Sequence, residues 1–157
     1  KAPMTKIDQN QEAVIEFFAR PTSLSSVGHA YIKISREDQQ KQSSTFITYG
    51  FYPETYNKFF MVERVKGEVK NENELEKPPS ISISVSLNTK ELELVLNTIK
   101  KWELETNFEF KKYSLTSQNC INFINNIALI IDLITPETKL KLPTQYISEL
   151  AKLNKSS

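Results

Sequence analysis

One cysteine and one histidine are the residues of this chain that could carry out nucleophilic chemistry. Cys120 stands where the polar segment 113–119 gives way to a helical pattern, and His29 lies in an early apolar segment, residues 27–34. A thiol at a helix N-terminus faces unsatisfied backbone N–H groups and the positive end of the helix dipole, and both favour the thiolate. An imidazole within reach would act as its base. The pair therefore predicts a cysteine nucleophile, provided that folding brings the two positions together.

The spacing after Cys120 predicts the direction in which the thiol points. Isoleucines recur at helical spacing along the segment, at Ile124, Ile127 and Ile131. Cys120 belongs to the same stripe, so we predict that it faces the core. Polar side chains are predicted to form an opposite, solvent-exposed face, at Asn122, Asn125, Asn126 and Asp132.

Gln118 is a candidate for the oxyanion hole of such a nucleophile. It precedes Cys120 by two residues. Its side-chain amide could join the Cys120 backbone N–H in holding a developing negative charge. A solvated or helix-capping glutamine is an equally good interpretation of the same position.

The placement of His29 depends on the face of its strand. Ala30, Ile32 and Ile34 form the apolar face, which leaves His29 on the other one. His29 reaches Cys120 only if that other face borders the helix start, or if Gly28 twists the entrance of the strand.

An imidazole base also needs a group that orients it. The next predicted strand offers Thr48 and Tyr49, whose side chains point to opposite faces. Either could hydrogen-bond His29, although a structural role is the more economical interpretation of each. Thr48 and Tyr49 are therefore the candidates for the third catalytic position.

The composition is that of one globular domain spanning residues 1–157, with residues 1–12 as a loose lead-in. The chain is 39% hydrophobic and 25% charged, which gives enough apolar residues for a core. Strands are predicted over residues 13–20, 27–34, 45–52, 58–65, 80–87 and 108–115, with a charged turn at 35–44 and an exposed loop at 66–79. Helices are predicted from Asn88, whose partner Glu91 completes a capping box, from Cys120, and from Pro143 or Thr144 through Leu153. Strands come first and helices late, which predicts an α+β fold with a small antiparallel sheet packed against helices.

Several functional classes lack their characteristic residues. A net charge of +1 gives no support to a nucleic-acid partner. No apolar run approaches the roughly 20 residues that span a bilayer, so we expect no integral membrane segment. One His and one Cys do not make a structural zinc site, and three glycines make a phosphate-binding loop improbable; we therefore expect no cofactor and no metal. The chain begins at Lys1, which is compatible with a removed signal peptide.

Gly28-His29-Ala30 on an early strand and Asn119-Cys120 at the start of a later helix together resemble a circularly permuted papain-like arrangement. The resemblance is to the lecithin:retinol acyltransferase-like group and the related NlpC-type cell-wall peptidases. It implies that a helix bearing the nucleophile packs on a small antiparallel sheet bearing the histidine. Cys120 then matches the nucleophile and His29 the base.

The segment 48–53 also resembles bacterial proteins of this type, some of them linked to secreted or interbacterial toxins. The resemblance therefore implies a secreted or delivered bacterial effector with a peptide or peptidoglycan substrate. Such an effector would have an immunity or inhibitor protein as a partner. Acyltransferase-like members usually follow Asn-Cys with an acidic residue and a histidine, whereas this chain has Ile121 and Asn122.

These observations lead to the hypothesis of a cysteine-dependent hydrolase, a peptidase or amidase. His29 would take the Cys120 proton, the thiolate would attack an amide carbonyl, and water would release the acyl-enzyme. One alternative is a lipid acyltransferase or thioesterase of the related permuted group. The other is a catalytically inert binding module on the same fold, in which Cys120 is a small buried hydrophobe.

Overall fold

The computed structural model describes residues 11–21, 29–38, 43–53, 65–72, 81–107, 112–113 and 119–155. In chain order the elements are β1 Gln11–Arg20, β2 His29–Asp38, β3 Ser43–Pro53, β4 Val65–Glu72, β5 Ile81–Asn88, α1 Thr89–Asn107, β6 Lys112–Tyr113, α2 Cys120–Ile130 and α3 Pro143–Leu153. Strands precede most of the helix, and the predicted α+β class is confirmed.

The described strands form one sheet in the order β5-β1-β2-β3-β4-β6, and every neighbouring pair is antiparallel. Strand β1 pairs with β2 on one side and β5 on the other. Its alternate side chains Ala13, Ile15, Phe17 and Ala19 are fully or almost fully buried. Because side chains alternate along a strand, these residues define a core-facing side of the sheet and an outer side.

The three helices pack on the core-facing side. Helix α1 contacts both β5 and β4, so it crosses the sheet, whereas α2 lies on β2 and β3 and α3 lies on β5 and β1. The Trp102 ring of α1 meets Phe51 of β3 and Phe123 of α2 edge to face, with ring centroids 5.1 and 5.3 Å apart. None of these helices is long and apolar enough to cross a bilayer.

Side-chain caps begin the first two helices. The backbone N–H of Glu91 donates to Asn88 Oδ1 over 2.8 Å, and that of Asn88 donates to Glu91 Oε1 over 3.1 Å. This reciprocal pair is the predicted capping box. At the start of α2 the backbone N–H of Asn119 donates to Asn122 Oδ1, and that of Ile121 donates to Asn119 Oδ1, each over 2.9 Å. The cap fixes the residue at which α2 begins, and therefore the position of Cys120.

The predicted exposed loop at 66–79 is wrong over its first part, since β4 runs to Glu72. Valine or glycine at 65, 67 and 69 alternates with charged residues at 66, 68 and 70, which is the period of two of a strand. The high charge of the segment led to its prediction as a loop. The predicted turn at 35–44 is also too long, because β2 extends to Asp38 and β3 begins at Ser43. The predicted strand at 58–65 lies outside the described residues except for Val65. Of the predicted strand at 108–115, only residues 112–113 are described, and they form β6.

Two helix faces differ from prediction. Leu96 and Leu153 continue the helical spacing of buried neighbours, Leu92 and Leu150, but are 41% and 44% exposed. Asn125 and Asn126 were expected on a solvent-exposed face but are half-buried. Asn125 Oδ1 accepts from the Tyr146 hydroxyl over 2.7 Å, and Asn126 Oδ1 accepts from Trp102 Nε1 over 2.9 Å. The asparagines of α2 therefore join it to α1 and α3.

Candidate functional site

Cys120 is the first residue of α2 and points into the core, as predicted. It is 5% exposed and belongs to the main hydrophobic cluster. The backbone N–H groups of Ala30 and Ile121 lie against the sulfur as hydrogen-bond donors. The thiol thus lies between the start of α2 and the core-facing side of β2.

The predicted thiolate is not favoured at this position. Burial raises the pKa of the Cys120 thiol from 9.0 to about 11, although the N–H groups of Ala30, Ile121 and Cys120 act to lower it. Desolvation penalises the charged form more than the helix start stabilises it. At neutral pH only about one molecule in ten thousand would carry the thiolate.

His29 lies on the outer side of the sheet, opposite Arg20 of β1. Its ring stacks on Tyr31 with centroids 5.8 Å apart and planes at 8°, and Tyr31 stacks on Phe18 at 5.3 Å. The Arg20 guanidinium lies 5.4 Å from the Tyr31 ring centroid. Burial, and secondarily the charge of Arg20, lower the pKa of His29 from 6.5 to about 3. The imidazole is therefore neutral and very weakly basic.

The side chains of His29 and Cys120 lie toward opposite sides of β2. Ala30 follows His29 directly, and consecutive side chains of a strand point to opposite faces. Cys120 contacts the Ala30 side of β2, while His29 stacks with Tyr31 on the other. Strand alternation thus directs the two side chains to opposite sides of β2, and the Cys120–His29 dyad stays a prediction that requires another position of the His29 ring.

The two candidates for orienting His29 also lie apart from it. Thr48 pairs with Lys33 on the outer side, four residues along β2 from His29, or about 13 Å. Tyr49 pairs with Ile32 on the core-facing side, where burial and then the charge of Glu103 raise its pKa. The Thr48 hydroxyl is buried and has no hydrogen-bond partner among the residues that the structure describes. Gln118, the oxyanion candidate, lies outside the described residues.

A groove at another place was not predicted from the sequence. It has a volume of about 290 Å³ and lies between α1 and the ends of β2 and β3. Its lining residues are Ile34, Arg36, Phe46, Ile47, Leu92 and Leu96. Phe46 is 48% exposed, and the Lys33 ammonium lies 4.5 Å from the centre of its ring. One feature of the sequence could have indicated the groove: Phe46 is a large aromatic residue at a position of β3 that alternation places on the side away from the core.

Within the described ranges, no group of three or more His, Cys, Asp or Glu side chains is placed to hold a metal ion. The chain matches no protein-family model, no curated protein and no solved structure. Its class is therefore defined by the fold alone: an α+β domain with helices on one side of an antiparallel sheet.

Proposed function

We propose that this domain is a catalytically inert binding module. The observation that carries the proposal is the placement of the Cys120 thiol and the His29 imidazole on opposite sides of β2. A general base must lie within hydrogen-bond reach of the proton that it removes, about 3 Å. A whole strand separates these two groups.

The electrostatics of both groups support the same proposal. Burial holds the Cys120 thiol protonated, with a pKa of about 11, and holds His29 neutral, with a pKa of about 3. Proton transfer from the first to the second is therefore unfavourable in these two environments. Cys120 then acts as a small apolar residue of the core, and His29 as part of an aromatic stack.

The groove beside α1 is the proposed ligand site of this module. Phe46 and Leu96 present half-exposed apolar surface there, and the Arg36 guanidinium also lines the groove. Apolar surface with a single charged group is the usual composition of a ligand site. A guanidinium recognises a carboxylate geometrically as well as electrostatically. The matching ligand is a peptide that carries an apolar side chain next to an acidic one.

Selection from a random heptapeptide display library tests the ligand site. We expect enrichment of sequences that place Leu, Ile or Phe beside Asp or Glu, and loss of that enrichment with Phe46→Ser. Leu104→Ser is the matched control, since Leu104 is 50% exposed on α1 and does not line the groove. Equal enrichment with wild type and Phe46→Ser would contradict the assignment of the groove.

A second candidate function, a cysteine-dependent amide hydrolase of the permuted papain-like type, is favoured by one observation. The backbone N–H groups of Ala30 and Ile121 donate to the Cys120 sulfur at the start of a helix, where a nucleophile and an oxyanion hole would be built. It requires another position of the His29 side chain. A peptide or peptidoglycan substrate, delivery as a bacterial effector and an inhibitor partner belong to this candidate.

Incubation with peptidoglycan, a protein substrate and phospholipid vesicles, side by side, separates the two functions. The inert module releases no product from any of them. Product release by the wild type that is lost in Cys120→Ala and in His29→Gln would establish the hydrolase. Release from the vesicles alone would instead favour the lipid-directed alternative.

A further inference from the structure

Strand β5 lies at one edge of the sheet that the described residues form. Among the described residues it pairs with β1 only, along its whole length. Its eight residues, Ile81–Asn88, include no charged residue and no proline. Natural edge strands are commonly blocked by charges, prolines or bulges, because their outward N–H and C=O groups can pair with another strand.

The sequence of β5 allows two identical copies of the strand to pair antiparallel with matching residue types opposite each other. Ser82, Ser84 and Ser86 alternate with Ile81, Ile83, Val85 and Leu87, and the pattern is symmetric about Ser84. A two-fold axis at Ser84 would place serine opposite serine and apolar opposite apolar at every step. With no charge in the strand, no like charges would meet across the axis.

The two sides of β5 suit this pairing. Val85 and Leu87 are buried beneath the helices, whereas Ser82 and Ser84 are exposed on the outer side. A second strand in the symmetric register would continue both surfaces, apolar beneath the helices and hydroxyl on the outside. Serine pairs across neighbouring strands can hydrogen-bond to each other.

We propose that two copies of this chain pair through their β5 edges, antiparallel and centred on Ser84, and so form one continuous sheet. The isologous symmetry of such a pair requires a self-complementary strand, and β5 has that property. The proposal is independent of the groove and of Cys120.

Charge substitutions at Ser84 test the pairing by sedimentation equilibrium. We expect the wild type to form a dimer and both Ser84→Lys and Ser84→Glu to weaken it roughly tenfold or more, because each places two like charges across the axis. An equimolar mixture of the two variants should recover the dimer as a heterodimer. Asn97→Lys, which adds the same charge at an exposed position of α1, should leave it unchanged.

Cysteine substitution tests the register. Residues directly opposite each other in an antiparallel pair have Cα atoms about 4.5–5.5 Å apart, within the span of a disulfide. Ser84→Cys should therefore form a covalent dimer under oxidation. Ser82→Cys alone should not, but it should crosslink to Ser86→Cys, its opposite position in this register.

The proposal is overturned if the wild type remains monomeric at all concentrations. Any strand that pairs with the β5 edge would then come from a different sequence. A dimer that is unaffected by Ser84→Lys, or that crosslinks through Ser82→Cys alone, overturns it as well.

Discussion

The sulfur of Cys120 accepts a hydrogen bond from the backbone N–H of Ala30, yet the ring of the neighbouring residue, His29, lies on the far side of the same strand. The Cys120 sulfur thus contacts the backbone of the residue next to His29, while the strand separates the two side chains. In the proposed binding module, this relationship leaves Cys120 and His29 as two separate side chains rather than a nucleophile and its base. It is also the basis of the first two predictions.

Alkylation of Cys120 should follow the titration of a buried thiol. We expect the rate of iodoacetamide labelling to rise with pH toward a midpoint near pH 11, since burial raises the pKa of the thiol to about 11. His29→Gln should leave the profile unchanged, because the imidazole is on the other side of β2. A midpoint below pH 8 that moves in His29→Gln would show that the two groups interact.

His29 should make the fold sensitive to mild acid. Its folded pKa of about 3 lies below its ordinary value of 6.5, so between these values the unfolded chain binds a proton that the folded chain does not. The contribution of neutral His29 to the free energy of unfolding is fully present above pH 6.5, and it is lost progressively as the pH falls toward 3. The free energy of unfolding should drop by about 2 kcal/mol between pH 7.5 and pH 5 from this group.

Urea denaturation of the wild type and His29→Gln over this pH range measures that effect. His29 is the only histidine of the chain, so the difference in pH dependence between the two proteins belongs to it. Parallel curves for the two proteins would contradict the assignment of a buried, neutral imidazole.

Asn154 should be a major contributor to the stability of the C-terminal helix. Its side chain accepts from the Ile134 N–H and donates to the carbonyls of Ile134 and Leu150, each over 2.8 Å, and it is 2% exposed. Asn154→Ala removes these three bonds, two of which hold the backbone of Ile134 to the end of α3. We expect a loss of about 3 kcal/mol in the free energy of unfolding.

Asn97→Ala is the matched control for Asn154→Ala, because Asn97 is exposed on α1. It should change the free energy of unfolding by less than about 0.5 kcal/mol. Equal effects of the two substitutions in chemical denaturation would show that the Asn154 bonds contribute nothing specific.

The Tyr146–Asn125 hydrogen bond should couple α3 to α2. The Tyr146 hydroxyl donates to Asn125 Oδ1 over 2.7 Å, and the tyrosine is fully buried. A double-mutant cycle of Tyr146→Phe and Asn125→Ala should give a coupling energy of about 1 kcal/mol. Additive effects of the two substitutions would mean that the bond does not stabilise the fold.

Local patterns were sufficient to predict several elements. The strict alternation of Ser and apolar residues predicted β5, and Asn88 with Glu91 predicted the start of α1. The isoleucine spacing correctly predicted that Cys120 faces the core. β4 was missed over residues 66–72, because its alternate charged residues resemble those of a loop.

The sequence by itself determined the α+β class, the caps and the burial of Cys120, because these depend on neighbours within a few positions. Tertiary structure decided which side of the sheet the helices cover, and with it whether His29 could meet the thiol. It also decided the protonation of both groups, since desolvation depends on every segment packed around them. Alternation along β2 already implies that the His29 and Ala30 side chains point to opposite sides of the sheet. Only the packing of α2 on the Ala30 side determines that Cys120 lies on the side away from His29.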